Sequence, residues 1–247
     1  MRKLDWLKRP IAHRGLHDAA KGIVENSASS VEAAITRGFG VEVDLQCAKD
    51  GLPVVFHDGV LDRLTNATGP VATRNAAELC TIRLRGSDDH ILLLTELLSL
   101  VDGRMPVLLE IKSNWGKDRS FEANIAKQLA AYPGPVAVMS FDPYCVAPFR
   151  ELAPSLPRGL ISEDFHDQNY WSQLSTLQRF AMRNLLTAAF ARPHFIAYDI
   201  RALPALAPTV ARSLFGLPLL TWTARTEIEK LRAANYADAM IFEGIEP

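Results

Sequence analysis

Two carboxylates, Glu42 and Asp44, stand two residues apart in the run Val41-Glu-Val-Asp-Leu45. In a strand, positions i and i+2 share a face, so the acids take one face and the apolar residues the other. Two unpaired carboxylates on an interior strand are costly. A bound divalent cation removes that cost, and ion pairing to Arg14 and Lys112 also lowers it. Glu110 and Lys112 repeat the spacing in a later apolar run. Three carboxylates with no cysteine nearby form a hard oxygen set, which favours Mg2+ or Ca2+ over Zn2+. His13 and His57 are the candidates for general acid/base work, since imidazole exchanges a proton near neutral pH. Asp58 either orients His57 or shapes the Asp58-Gly59 turn. Arg14 and Lys112 offer positive charge to an anion, most simply a phosphate. Asn26 reads equally as a helix cap and as a site residue. Trp222 reads as a pocket wall or as a plug aromatic. His17, His90, His166 and His194 lack such company and read as surface or loop residues.

Positioning these groups requires strands, and the chain offers nine candidate runs. They are 10–13, 41–46, 53–57, 106–112, 135–140, 158–161, 194–199, 217–222 and 238–242. Helical patterns lie between most of them, at 26–38, 75–83, 94–102, 119–132, 144–153, 167–190, 203–215 and 225–235. Such alternation predicts a parallel sheet with helices outside it. One run does not fit. The six residues Cys47–Leu52 are too few for a parallel crossover, which takes about a dozen or more. Lys49-Asp50-Gly51 supplies turn chemistry, so 53–57 should return antiparallel to 41–46 as a β-hairpin excursion after the second strand. A turn centred near Asp50 brings His57 opposite Glu42–Asp44. Eight parallel strands remain, and eight in about 250 residues describe a TIM-type (β/α)8 barrel. Only five residues follow the last strand, so no full eighth helix is expected. No linker, repeat or low-complexity tract divides the chain, and 1–247 reads as a single domain. The polar, aromatic segment 163–173 reads as a rim loop or lid, with Tyr170 and Trp171 packing inside it. Barrel enzymes carry their chemistry at the C-terminal strand ends, and those ends here hold His13, Glu42, Asp44, Glu110 and Trp222.

The chain carries 27 Lys+Arg against 28 Asp+Glu, a net charge of -1. That balance argues against a nucleic-acid partner. No apolar stretch approaches the ~20 residues of a membrane span, so no stable membrane anchor is expected. The basic start is not followed by the apolar run of a secretory signal. Cys47, Cys80 and Cys145 are widely spaced and show no metal or redox motif. They read as small buried residues, and an odd count with no signal favours a reducing cytoplasm. Nothing in the sequence fixes an oligomeric state.

Taken in order, these residues resemble the glycerophosphodiester phosphodiesterase family. The likeness runs through Ala12-His-Arg-Gly15, Glu25-Asn26, Glu42-Val-Asp44, Lys49-Asp-Gly51 and Val54-Val-Phe-His-Asp58. It continues through Leu61 to Thr65 with Gly69, Glu110-Ile-Lys112, Ser140-Phe141 and Trp222-Thr223. The resemblance implies a barrel that hydrolyses glycerophosphodiesters to glycerol 3-phosphate and an alcohol. It implies one divalent cation, Mg2+ or Ca2+, held at Glu42, Asp44 and Glu110, with His13 and His57 as the acid/base pair. It places Arg14 and Lys112 on the phosphate of a small phosphodiester substrate. It also suggests that the substrate's own glycerol hydroxyl attacks first, giving a cyclic phosphate that water opens. The short 59–105 segment is similar to that of small cytoplasmic members. Ser27 replaces a usual Thr, and Phe242-Glu243 replace a usual Thr-Asp. Segment 163–173 matches no family pattern. Two other readings are a phospholipase D-like or cyclising enzyme on another phosphodiester, and a non-catalytic barrel that binds a phosphate ligand.

Overall fold

The computed structural model describes residues 4–247, and the basic Arg2-Lys3 start lies outside them. The strands are β1 (Ile11–Ala12), β2 (Gly40–Cys47), β3 (Pro53–Val55), β4 (Leu92–Leu93) and β5 (Val107–Ile111), then β6 (Val136–Ser140), β7 (Arg158–Ser162), β8 (Phe195–Asp199), β9 (Leu219–Ala224) and β10 (Ala239–Phe242). Neighbours run in the order β1-β10-β9-β8-β7-β6-β5-β2, and β1 also pairs with β2, so eight parallel strands close a barrel.

Alternation decides what faces inward. Val41, Val43, Leu45, Val107, Leu109 and Ile111 point out into the main layer between strands and helices. Leu108, Ala137, Met139, Ile161, Phe195, Ala197, Leu220 and Ile241 fill the interior beneath the site. Gly159 leaves room there for the Phe195 ring, which a Cβ at that position would strike. Glu42, Asp44 and Glu110 sit at inward positions toward the C-terminal strand ends. The apolar fill below keeps them dry from beneath.

The short connection after β2 is a hairpin. Leu45, Gln46 and Cys47 oppose Val55, Val54 and Pro53 in antiparallel register. Phe56 N–H then donates to the Asp44 carbonyl at 3.0 Å, which extends that register toward His57. The excursion is larger than the sequence suggests, because β4 adds to β3 antiparallel. A two-residue strand carries no readable period, which is why 92–93 lies outside every predicted strand.

The helices are α1 (Ala28–Thr36), α2 (Ala76–Leu79), α3 (Leu94–Val101), α4 (Ser120–Leu129), α5 (Pro143–Val146), α6 (Phe149–Leu152), α7 (Thr176–Arg183), α8 (Ala188–Ala191), α9 (Leu206–Phe215) and α10 (Glu227–Tyr236). Ser27, not Asn26, caps α1, in a box with Ser30 at 3.1 Å each way. Two expected helices are each broken in two. Pro148 separates α5 from α6, since it has no N–H to continue the ladder. The 167–190 pattern yields only α7 and α8, and 167–175 is turn and loop. Residues 243–247 form no helix. No described helix is long and apolar enough to cross a membrane.

Candidate active site

Glu42, Asp44 and Glu110 bring one carboxylate oxygen each within 4.8 Å of one another. Parallel pairing sets this: Asp44 lies opposite Glu110 across the β2–β5 ladder. Glu42 and Asp44 are each 1% exposed. Lys112, Arg14 and Asn26 crowd around them. Lys112 Nζ is 2.8 Å from Asp44 and also binds Glu110. Arg14 Nε lies 3.4 Å from Asp44, and its backbone N–H donates to Glu42 at 2.9 Å. Asn26 clasps Asp44 twice, donating from Nδ2 at 2.8 Å and accepting the Asp44 N–H at 3.1 Å. The sequence left Asn26 open between cap and site. The structure places it against Asp44 and not at the cap, with a left-handed φ of 58° that Asn tolerates better than most residues.

The charges do not balance inside the cluster. Arg14 is shared with Glu25, to which it donates at 2.7 Å. Lys112 is shared between Asp44 and Glu110. Burial would raise the Asp44 carboxyl, but Lys112, His57 and Arg14 outweigh it and hold Asp44 well below the usual range. Glu42 accepts the Arg14 backbone N–H, and Lys112 pulls on it only weakly. Burial, with Asp44 and Glu110 adding repulsion, pushes it well above an ordinary carboxyl. Burial and Asp44 likewise raise Glu110, against the pull of Lys112. Glu42 Oε1 is buried without a hydrogen-bond partner. Three converging carboxylates, one of which carries an orphaned oxygen, fit a hard divalent cation.

Two histidines flank the acids. His57 Nδ1 lies 2.7 Å from Asp58 Oδ1, so Asp58 orients the ring as well as shaping the turn. Gln46 Nε2 donates to the His57 carbonyl at 2.8 Å and ties that backbone to β2. Arg63 Nε donates to Asp58 at 2.6 Å, and Arg63 Nη2 to Glu25 at 2.8 Å. A continuous charged chain therefore runs His57–Asp58–Arg63–Glu25–Arg14–Asp44. On the other side, His13 Nδ1 lies 2.8 Å from Glu243 Oε2, and its Nε2 is 4.0 Å from Glu42. Burial lowers both imidazoles below their usual value; Glu243 opposes this at His13, and Lys112 reinforces it at His57.

Sequence reasoning did not assign Glu243 or Arg63 a role. Arg63 sits in the Leu61–Thr65 stretch that carries the resemblance, whereas Glu243 had only its departure from pattern as a signal. His17 also differs from its reading as an isolated residue, since its Nε2 is 3.9 Å from Glu243.

A groove of about 630 Å3 opens at the Glu110 side of the cluster, lined in part by His57, Glu110, Lys112, Phe141, Tyr170 and Trp171. A larger hollow of about 730 Å3, around Leu7, Phe215 and Leu217, holds none of these groups. Within 163–173, Phe165 and Trp171 are buried and Tyr170 is exposed. Phe141 packs on Trp171 at 5.1 Å and edge-on to Trp222 at 5.4 Å. Trp222 packs with Phe141 against the apolar interior of the barrel, and its Nε1 is buried without a hydrogen-bond partner.

The model of the glycerophosphoryl diester phosphodiesterase family matches residues 13–245. Among curated proteins, the chain is similar to a glycerophosphodiester phosphodiesterase of Caldanaerobacter subterraneus subsp. tengcongensis, 31% identical over 61% of this chain and 65% of that protein. That alignment spans just under two thirds of the relative's length. It is also similar to bovine glycerophosphodiester phosphodiesterase 1, 25% identical over 89% of this chain and 72% of that protein. Among solved structures, it is similar to an Oleispira antarctica phosphodiesterase in complex with the product sn-glycerol-3-phosphate, with a TM-score of 0.79 and 22% identity over 96% of this chain and 94% of that one. The fold, the ordered motifs and a family match across nearly the whole sequence agree, and the chain belongs to the glycerophosphoryl diester phosphodiesterase family.

Proposed function

We propose that this chain is a glycerophosphodiester phosphodiesterase, which hydrolyses glycerophosphodiesters to glycerol 3-phosphate and an alcohol. The observation that carries the reading is Glu42. It is a buried, unsatisfied carboxylate beside two others, between two histidines that are each tied through Nδ1 to an acid. The names of the relatives support the substrate class. Residues 1–247 act as one unit in this reading. The three free cysteines support a reducing, cytoplasmic location.

Glu42, Asp44 and Glu110 would hold one divalent cation, Mg2+ or Ca2+, which supplies Lewis-acid neutralisation of phosphoryl charge. Arg14 and Lys112 keep positive charge beside the acids and face the phosphate with it. Burial favours the neutral ring at both histidines, and a carboxylate that takes the Nδ1–H leaves the Nε2 lone pair to face the reaction. In the first step one neutral ring takes the proton of the attacking hydroxyl while the other, entering the step protonated from solvent, gives its proton to the departing alcohol. The two exchange roles when water opens the cyclic phosphate, which restores both. The glycerol hydroxyl is the first nucleophile in this scheme, and water opens the cyclic phosphate. Trp222 and Phe141 wall the carbon chain.

The test is a panel of glycerophosphocholine, -ethanolamine, -glycerol and -inositol with a metal series. Glycerol 3-phosphate should appear with at least one of them. Chelation should abolish its release, and Mg2+ or Ca2+ should restore it. Failure to release it from every member of the panel, with either metal, would overturn the reading. Accumulation of the cyclic phosphate as end product would make the enzyme a cyclising lyase instead.

A further inference from the structure

We propose that Glu243 is the positioning residue for His13, holding its ring with the proton on Nδ1 and Nε2 turned to the carboxylate cluster. This rests on the acid/base reading of His13. The geometry has three parts. His13 is fixed twice by consecutive residues: its backbone N–H donates to the Phe242 carbonyl at 2.9 Å, and its Nδ1 lies 2.8 Å from Glu243 Oε2. Phe242 is itself immobilised, 1% exposed and packed edge-on to Phe39 at 5.0 Å. Glu243 is anchored at both ends. Its backbone N–H donates to the Ala224 carbonyl at 3.0 Å, and its carboxylate accepts from Arg225 at 2.8 Å.

This arrangement duplicates the one at His57. There, too, the Nδ1 contact is a carboxylate, Asp58, and an arginine, Arg63, braces that carboxylate. The Asp58 brace is adjacent in sequence, whereas Glu243 is 230 residues from the ring it holds. An ionised carboxylate only accepts hydrogen bonds, so its contact fixes the tautomer as well as the ring plane. A surface ion pair with Arg225 would not need to present Oε2 to an imidazole. Nor does Glu243 belong to the set of converging carboxylates, which is Glu42, Asp44 and Glu110 among the described residues. The Phe-Glu pair at the end of β10, which replaces a usual Thr-Asp, therefore serves the reaction through His13.

The experiment compares the full-length Glu243→Gln, Glu243→Asp, Arg225→Met and His13→Ala variants. Readouts are kcat and KM on glycerophosphocholine, melting temperature and the imidazole 15N tautomer signals. Glu243→Gln is expected to lower kcat by about 10- to 100-fold with little change in KM, as for other residues that orient a functional imidazole. The Nδ1–H tautomer should lose its dominance at His13. Glu243→Asp keeps the charge one methylene short and should recover part of kcat. Arg225→Met leaves the histidine contact and should cost less than Glu243→Gln. Wild-type kcat in Glu243→Gln with an inactive His13→Ala overturns the proposal. A rise in KM alone also overturns it, because that marks a substrate contact. If Glu243→Gln does not fold, the Asp and Met variants decide by the same order of effects. An active His13→Ala instead overturns the acid/base reading, and the 15N signals of Glu243→Gln still decide whether Glu243 sets the tautomer.

Discussion

Glu42 is the residue whose environment asks most for something more. Its pKa is raised by burial and by two neighbouring acids, so ionising it opposes folding. A carboxyl raised in the folded state contributes stability below its unfolded value and loses it as pH rises toward the folded one. Metal-free protein should therefore lose melting temperature as pH climbs from about 4.5 toward neutrality. Mg2+ or Ca2+ should restore it by binding the folded state. Glu42→Gln should melt higher than wild type without metal at neutral pH and should show no cation-induced shift. Calorimetry across pH and metal checks both. His13→Ala and His57→Ala should each cut kcat at least about 100-fold while the cation-induced melting shift persists. Near-normal turnover in either would sink the acid/base pair. The acids were legible in the sequence because strand alternation is local: Glu42, Asp44 and Glu110 declare their face within two residues. The orphaned oxygen of Glu42 was not legible, since it depends on Lys112 and Arg14 being shared elsewhere.

At the scale of elements, the turn after β1 does the joining. Gly15 takes a φ of 77°, and a Cβ there would run into Ser30. That closeness lets Leu16 N–H reach the Ser30 carbonyl at 2.8 Å and Ser30 Oγ reach the Arg14 carbonyl at 3.2 Å. The start of α1 thus sets the loop that carries His13 and Arg14. Gly15→Ala should destabilise the protein by about 1–3 kcal/mol, through strain and displacement of Ser30, and should lower activity further than its stability loss explains. Urea titration and steady-state rates separate the two. The β2–β3 hairpin was readable because six residues cannot cross a parallel sheet, and its register followed from turn chemistry. Strand β4 and the break at 184–187 were not, since one rests on a long-range pairing and the other interrupts an amphipathic pattern, whereas Pro148 marks the break at 147–148 in the sequence itself.

Across the whole molecule, the barrel followed from simple alternation, because each strand–helix unit states its own period. What alternation could not show is which ends meet. Glu243 and Asp58 are the two acids held at about 2. Hydrogen bonding from His13 lowers Glu243 against its burial, and Arg63 and His57 pull Asp58 down against the same effect. Both values lie below the ordinary 4.5 and 3.8. Their stabilisation is complete above those ordinary values and drains away as pH falls toward 2. A Glu243→Gln, Asp58→Asn double variant should therefore lose less melting temperature than wild type between pH 5 and pH 2.5, as a pH series of thermal scans would show. The two pairings sit on opposite flanks of the cluster, so acid should loosen both histidine mounts before the interior fill is breached.

The seam of the barrel has a temporal consequence. Strand β1 is two residues long and is gripped by β2 on one side and β10 on the other, with Ile11 beside Ile241. Bringing such distant partners together carries a large loop-closure cost before any contact rewards it. The other strands can stack in sequence order while the ring is still open. His13 and Glu243 lie on the two lips of that opening. During refolding from urea, far-UV signal should recover ahead of turnover, because catalysis waits for the last stitch. A circular permutant that tethers the present ends and opens the chain at an exposed loop elsewhere should narrow that lag.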